Sequence, residues 1–109
     1  GVLEIDSMGN EVWRYISDES KDFSLDAQEI INTQTGDYII LTNGSKNDST
    51  FIQLIELNHK GQEKHCVKIK SNIPSKGYSI TEVKKNIYAI AGSRRDQFSE
   101  DFWIFKISL

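Results

Sequence analysis

Apolar residues in this chain come in short runs of four to eight, set between polar clusters and never spaced as a long helical stripe. The runs occupy residues 2–5, 12–16, 28–33, 38–42, 51–57, 65–69, 78–83, 87–91 and 102–109. Turn-forming residues separate them: Ser7-Met8-Gly9-Asn10, Thr35-Gly36-Asp37, Asn43-Gly44-Ser45, Asn58-His59-Lys60-Gly61 and Lys85-Asn86. Nine strands at roughly 8–12-residue spacing predict an all-β fold. Over residues 18–29 the spacing of Phe23, Leu25 and the following Ile30 is compatible with a short helical turn, but the stretch reads as a loop entering a strand.

The pattern repeats. Shifted by fifty, Ile30 falls on Ile80, Tyr38 on Tyr88, Ile40 on Ile90, Leu54 on Ile104 and Leu57 on Ile107. Shifted by fifty-two, Ile5 and Gly9 fall on Leu57 and Gly61, and Trp13 falls on His65. A period near fifty with four strands in it is the mark of a propeller or an array of blades. In residues 51–57, Phe51, Gln53, Ile55 and Leu57 share one face while Ile52 and Leu54 share the other. In the second copy, Trp103, Phe105 and Ile107 oppose Phe102 and Ile104. A strand apolar on both faces lies between two layers, whereas a two-sheet sandwich asks for alternation.

Several stretches together carry a resemblance. They are Asp6-Ser7-Met8-Gly9-Asn10-Glu11-Val12-Trp13, then Asp26-Ala27 with Ile30 and Thr33, then Gly36-Asp37-Tyr38-Ile39-Ile40, then residues 51–57. This string resembles a bacterial β-propeller repeat, with blades of about fifty residues and an aspartate-x-x-glycine turn leading into a tryptophan strand. The likeness covers nearly the whole chain. The second copy departs where His65 stands for the tryptophan and where Lys85-Asn86-Ile87 replaces a double glycine. The resemblance implies antiparallel four-stranded blades, two in this chain, and a place outside the cytoplasm in a secreted or lipid-anchored bacterial protein. In blade terms, residues 11–16 are the outer strand of an incomplete or ring-closing blade, 27–69 a complete blade, and 77–109 three strands of the next. Two blades leave open faces, so either a longer propeller supplies the rest or copies of the chain complete the ring.

Length and charge agree with this reading. One hundred and nine residues make one domain, and 38% hydrophobic with 27% charged residues suits a globular chain. The net charge of −3, without a sizeable basic cluster, gives no electrostatic footprint for nucleic acid. No apolar run is long enough to span a membrane as a helix. No charged-then-apolar signal segment opens the chain, and Gly1 reads as a residue left by tag removal, so the residues alone leave localisation open. With one cysteine, Cys66, no internal disulfide forms.

Candidate chemistry is sparse. His65 and Cys66 are neighbours on a strand and point to opposite faces, which suits a packed histidine and a buried or edge thiol better than a shared metal. Asp96, Glu100 and Asp101 beside Arg94 and Arg95 lack the alternating spacing of a calcium loop and read as a self-neutralising loop. Asn43-Gly44-Ser45 and Asn47-Asp48-Ser49 fit the glycosylation pattern but read as turns. No nucleophile elbow, phosphate loop or dinucleotide glycine pattern is present, and no cofactor is expected. The rim candidates are Phe23, Phe51 and Phe98 with Arg94 and Arg95, placed by the strand pattern in or beside loops. The expectation is a non-catalytic module that binds a ligand or protein through loops on a rigid scaffold. The alternatives are a segment of a propeller hydrolase or lyase whose catalytic residues lie elsewhere, and a segment that only builds the ring.

Overall fold

The computed structural model describes residues 2–15, 24–47, 49–70, 75–95 and 99–109. Nine strands run in sequence: β1 (Val2–Ile5), β2 (Glu11–Tyr15), β3 (Ser24–Asn32), β4 (Tyr38–Lys46), β5 (Ser49–Leu57), β6 (Glu63–Lys70), β7 (Ser75–Lys84), β8 (Ile87–Arg95) and β9 (Glu100–Ser108). Every pairing is antiparallel and joins strands consecutive in sequence, giving three meanders: sheet 1 is β1-β2, sheet 2 is β3-β4-β5-β6 and sheet 3 is β7-β8-β9. The all-β, antiparallel expectation stands. The expectation of four-stranded units is met only by sheet 2; sheet 3 has three strands among the described residues. No helix among the described residues is long and apolar enough to cross a membrane.

One turn is used three times. At Asp6–Asn10, Thr33–Asp37 and Asn58–Gln62 the first residue's N–H donates to the fifth residue's carbonyl, and a glycine at the fourth position returns its N–H to the first carbonyl. Those glycines, Gly9, Gly36 and Gly61, hold φ of 84°, 86° and 80°, a region closed to most L-residues. In the first and third copies a side-chain oxygen of the opening residue, Asp6 or Asn58, accepts two backbone N–H groups further along. The middle copy keeps one such bond in the same direction, with the Asp37 N–H donating to Thr33 Oγ1 at 3.2 Å.

The middle sheet is covered on both faces. Ile39, Leu41, Ile52 and Leu54 on its front face join Ile80, Tyr88 and Ile90 of sheet 3 in one buried cluster, with Trp103, Phe105 and Ile107 packed against it. On its back face Ile40, Ile55 and Leu57 receive Val2 and Trp13 of sheet 1. The two-sided pattern of residues 51–57 is thus met by a layer on each side. Sheets 2 and 3 are also clamped by polar side chains. Asn43 accepts from the Gly77 N–H at 2.8 Å and donates to its carbonyl at 3.0 Å, and Glu29 accepts the Ile80 N–H at 2.8 Å.

Two sequence expectations are corrected here. Asn43-Gly44-Ser45 is not a turn: it lies inside β4, because Asn43 is committed to Gly77 and the Phe51 ring lies so close over Gly44 that a Cβ there would collide with it. His65 is not packed: its side chain is 60% exposed, on the fourth strand of sheet 2, where sheet 3 offers only three strands among the described residues.

Candidate functional site

Among the described residues, no sheet lies over the front face of sheet 3. Ser93 on β8 and Phe102 on β9 are cross-strand partners and so lie on one face; Ile104 follows Phe102 on that face two residues along. Phe102 is 91% exposed and Ile104 77%, while their strand-mates Trp103 and Phe105 turn to the core and stack on each other at 4.2 Å. The opposite orientation of these two sets follows from the period of two in β9.

A groove of about 420 Å³ opens on this face, lined by Tyr78, Ser93, Glu100, Asp101 and Phe102. Tyr78 owes its position to a bulge. The β7–β8 register shifts between Gly77 and Ser79, leaving Tyr78 as the extra residue, and bulges re-aim side chains in this way. The Asn43 amide holds the backbone of the bulge through Gly77. The Tyr78 hydroxyl then shares a hydrogen bond of 3.0 Å with the buried Ser93 hydroxyl. A smaller recess of about 130 Å³ continues toward Thr50, Ser75, Lys76 and Arg95. There the Ser75 N–H donates to Thr50 Oγ1 at 3.0 Å, tying the start of β7 to β5.

Acid and base alternate at this end. Arg94 stands across the ladder from Asp101, and Arg95 from Glu100. The groove therefore sets two aromatic rings and a paired hydroxyl beside charges of both signs, which suits a neutral or amphipathic surface better than a highly charged ligand. Among the described residues no group of three or more His, Cys, Asp or Glu side chains is placed to hold a metal ion.

Of the rim candidates from the sequence, Arg95 lines the recess and Arg94 lies over the Trp103 ring at 5.8 Å. Phe51 lies within β5 rather than beside a loop; it is 6% exposed, under the Lys68 ammonium at 4.4 Å. Phe23 and Phe98 lie outside the described residues, as does Asp96. The sequence reading missed Tyr78 and Ser93 as groove residues. The isolated Gly77 inside a strand run was the available signal for a bulge.

A second polar cluster lies at the other end of sheet 2. Lys64 Nζ sits 2.6 Å from the buried Asp37 and 4.0 Å from the buried Glu56, and His65 Nε2 lies 3.8 Å from Glu56. The hydrogen bond to Asp37 holds the Lys64 amine above its ordinary value, against the effect of burial. One lysine thus balances two buried carboxylates beside a turn. Cys66 is exposed on β6; partial burial pushes its thiol up, while the Gln53 amide donates to Sγ. Such a thiol is a poor nucleophile near neutral pH.

The chain matches no protein-family model, no curated protein and no solved structure.

Proposed function

We propose that this chain is a non-catalytic interaction module, a segment of a β-propeller built from one repeated sheet, which binds through the open front face of sheet 3. One observation carries the reading. Phe102 and Ile104 are 91% and 77% exposed, whereas Ile52 and Leu54, fifty residues earlier in the repeat, are each 1% exposed beneath a neighbouring sheet. Contiguous exposed apolar residues with a polar border mark interaction surfaces. The propeller reading draws support from a central sheet covered on both sides and from the recurring turn. A location outside the cytoplasm follows from the resemblance of the repeat.

The test uses anilinonaphthalene sulfonate, a dye whose emission rises on apolar protein surfaces, with dilute protein. The wild-type chain should enhance its fluorescence, and Phe102→Ser with Ile104→Ser should remove most of that enhancement while circular dichroism stays unchanged. Equal enhancement by both proteins would refute the assignment of the binding face.

A further inference from the structure

The stack has a second open face. On sheet 1, Leu3 and Ile5 are 50% and 57% exposed and point away from sheet 2. Shifted by fifty-two, these residues fall on Ile55 and Leu57, which are 2% and 0% exposed because sheet 1 covers them. The two internal interfaces follow one rule. The face bearing Val2 in sheet 1, or Ile52 and Leu54 in sheet 2, meets the face bearing Ile55 and Leu57, or Phe105 and Ile107, in the next sheet. Sheet 3 presents the first kind of face, through Phe102 and Ile104, and no described residue covers it. Sheet 1 presents the second kind, through Leu3 and Ile5, and no described residue covers that either.

We propose that the front face of sheet 3 docks on the outer face of sheet 1 of a second copy of this chain, head to tail. The proposal rests on the interaction-module reading for the location of the face, and it names the partner.

Side-chain size along the open face supports this occupant. Among the described residues sheet 1 consists of β1 and β2, which correspond by the repeat to β5 and β6, with no counterpart of β7 or β8. Where sheet 2 places Ile39 and Leu41 on β4, beneath a sheet that has those inner strands, sheet 3 places Ala89 and Ala91 on β8. The large residues Phe102 and Ile104 stand on β9, where β1 of the arriving copy would lie. The open face is thus large where sheet 1 has a strand to offer and small where it has none. Because the two surfaces differ, the contact is heterologous and repeats from copy to copy until the rotation closes a ring. Repeat units of this kind leave a face unburied until a neighbour arrives.

The experiment is light scattering after size exclusion over a wide range of concentration. The chain should show masses that are multiples of 12.5 kDa and rise with concentration. Phe102→Lys with Ile104→Lys, and separately Leu3→Lys with Ile5→Lys, should each give a monomer, since each blocks one of the two surfaces. Mixed together they should give a species of two chains and no larger, because one retains the sheet 3 face and the other the sheet 1 face. A wild-type monomer at every concentration overturns the proposal, as does a mixture that stays monomeric. Persistent association of the Leu3→Lys, Ile5→Lys protein would also overturn it, by pointing to two sheet 3 faces meeting each other. A wild-type monomer that still binds the dye would refute only the second copy as partner; a monomer that binds no dye would refute the interaction face as well.

Discussion

Gly61→Ala tests how sheet 1 is held to sheet 2. Gly61 sits at φ 80° in the β5–β6 turn, and a Cβ built on it would fall inside the Trp13 indole. Gly36 occupies the same place in the β3–β4 turn at φ 86°, with nothing within 4 Å of its added Cβ. Both substitutions force alanine into the left-handed region, costing about 1–2 kcal/mol. Both recover about 0.4–1 kcal/mol from a less flexible unfolded chain. Gly36→Ala should therefore destabilise by about 1 kcal/mol. Gly61→Ala must also displace the Trp13 ring from its edge-on contact with Tyr38, whose centroid lies 5.6 Å away. Overpacking of that sort adds about 1–3 kcal/mol. Urea titrations followed by circular dichroism give both values from the midpoints, provided the slopes agree. In a Trp13→Ala background the difference between the two glycine variants should vanish. If Gly61→Ala costs no more than Gly36→Ala in the native background, Trp13 does not rest on this turn and the sheet 1–sheet 2 contact is wrongly drawn.

Three further outcomes follow from the core and the turns. Trp103→Ala should destabilise by about 3 kcal/mol, the lower end for an aromatic truncation because the ring is only half-buried, and a loss below about 1 kcal/mol in urea would contradict its packing on the sheet 2–sheet 3 core. The Asp6 carboxyl is held below its ordinary value by the N–H groups of Asn10 and Met8, so its stabilising effect is present above the unfolded value and is lost as pH falls through the folded one. Asp6→Asn, which copies Asn58 in the equivalent turn, should keep the fold and remove that part of the acid unfolding limb; superimposable acid limbs would show that Asp6 does not hold the turn. Burial, with Glu82 nearby, pushes the Tyr88 phenol up to about 12, so the folded state keeps its full advantage below the ordinary phenol value and loses it as pH rises through 12. Ultraviolet titration should show a late ionising step that Tyr88→Phe abolishes, and a Tyr88→Phe profile identical to wild type would assign that step elsewhere.

All nine strands were legible in the apolar pattern, because each leaves an apolar run of its own between turn residues. Their ends were not: β3 begins at Ser24, inside the stretch 18–29 that reads as a loop, because pairing with β4 extends to Ser45. β4 continues through Asn43, Gly44 and Ser45 since backbone pairing with β5 persists to Lys46, and composition alone cannot register a glycine that is needed to seat the Phe51 ring. The turn at Thr33 escaped the match with those at Asp6 and Asn58 because a threonine hydroxyl accepts there in place of a side-chain carbonyl oxygen, giving the same backbone from different letters. The exposed pair Phe102 and Ile104 was readable as the face opposite Trp103 and Phe105. That no described sheet covers it emerged only from the order of the sheets. The groove needed the Tyr78 bulge and the Asn43 clamp, whose partners lie thirty-four residues apart.

The strictly consecutive strand order bears on how the chain folds. No strand waits for a partner made much later: β1 meets β2 across five turn residues, and sheets 2 and 3 grow by adding the next strand at an open edge. Loop closure on that scale is fast, and topologies of short-range pairing fold quickly for their size. Each ladder of hydrogen bonds therefore closes within its own stretch of chain, and the three sheets depend on one another only through the side chains packed between them. A two-stranded ribbon such as sheet 1 is marginal alone, so sheet 2 is the surface that holds it.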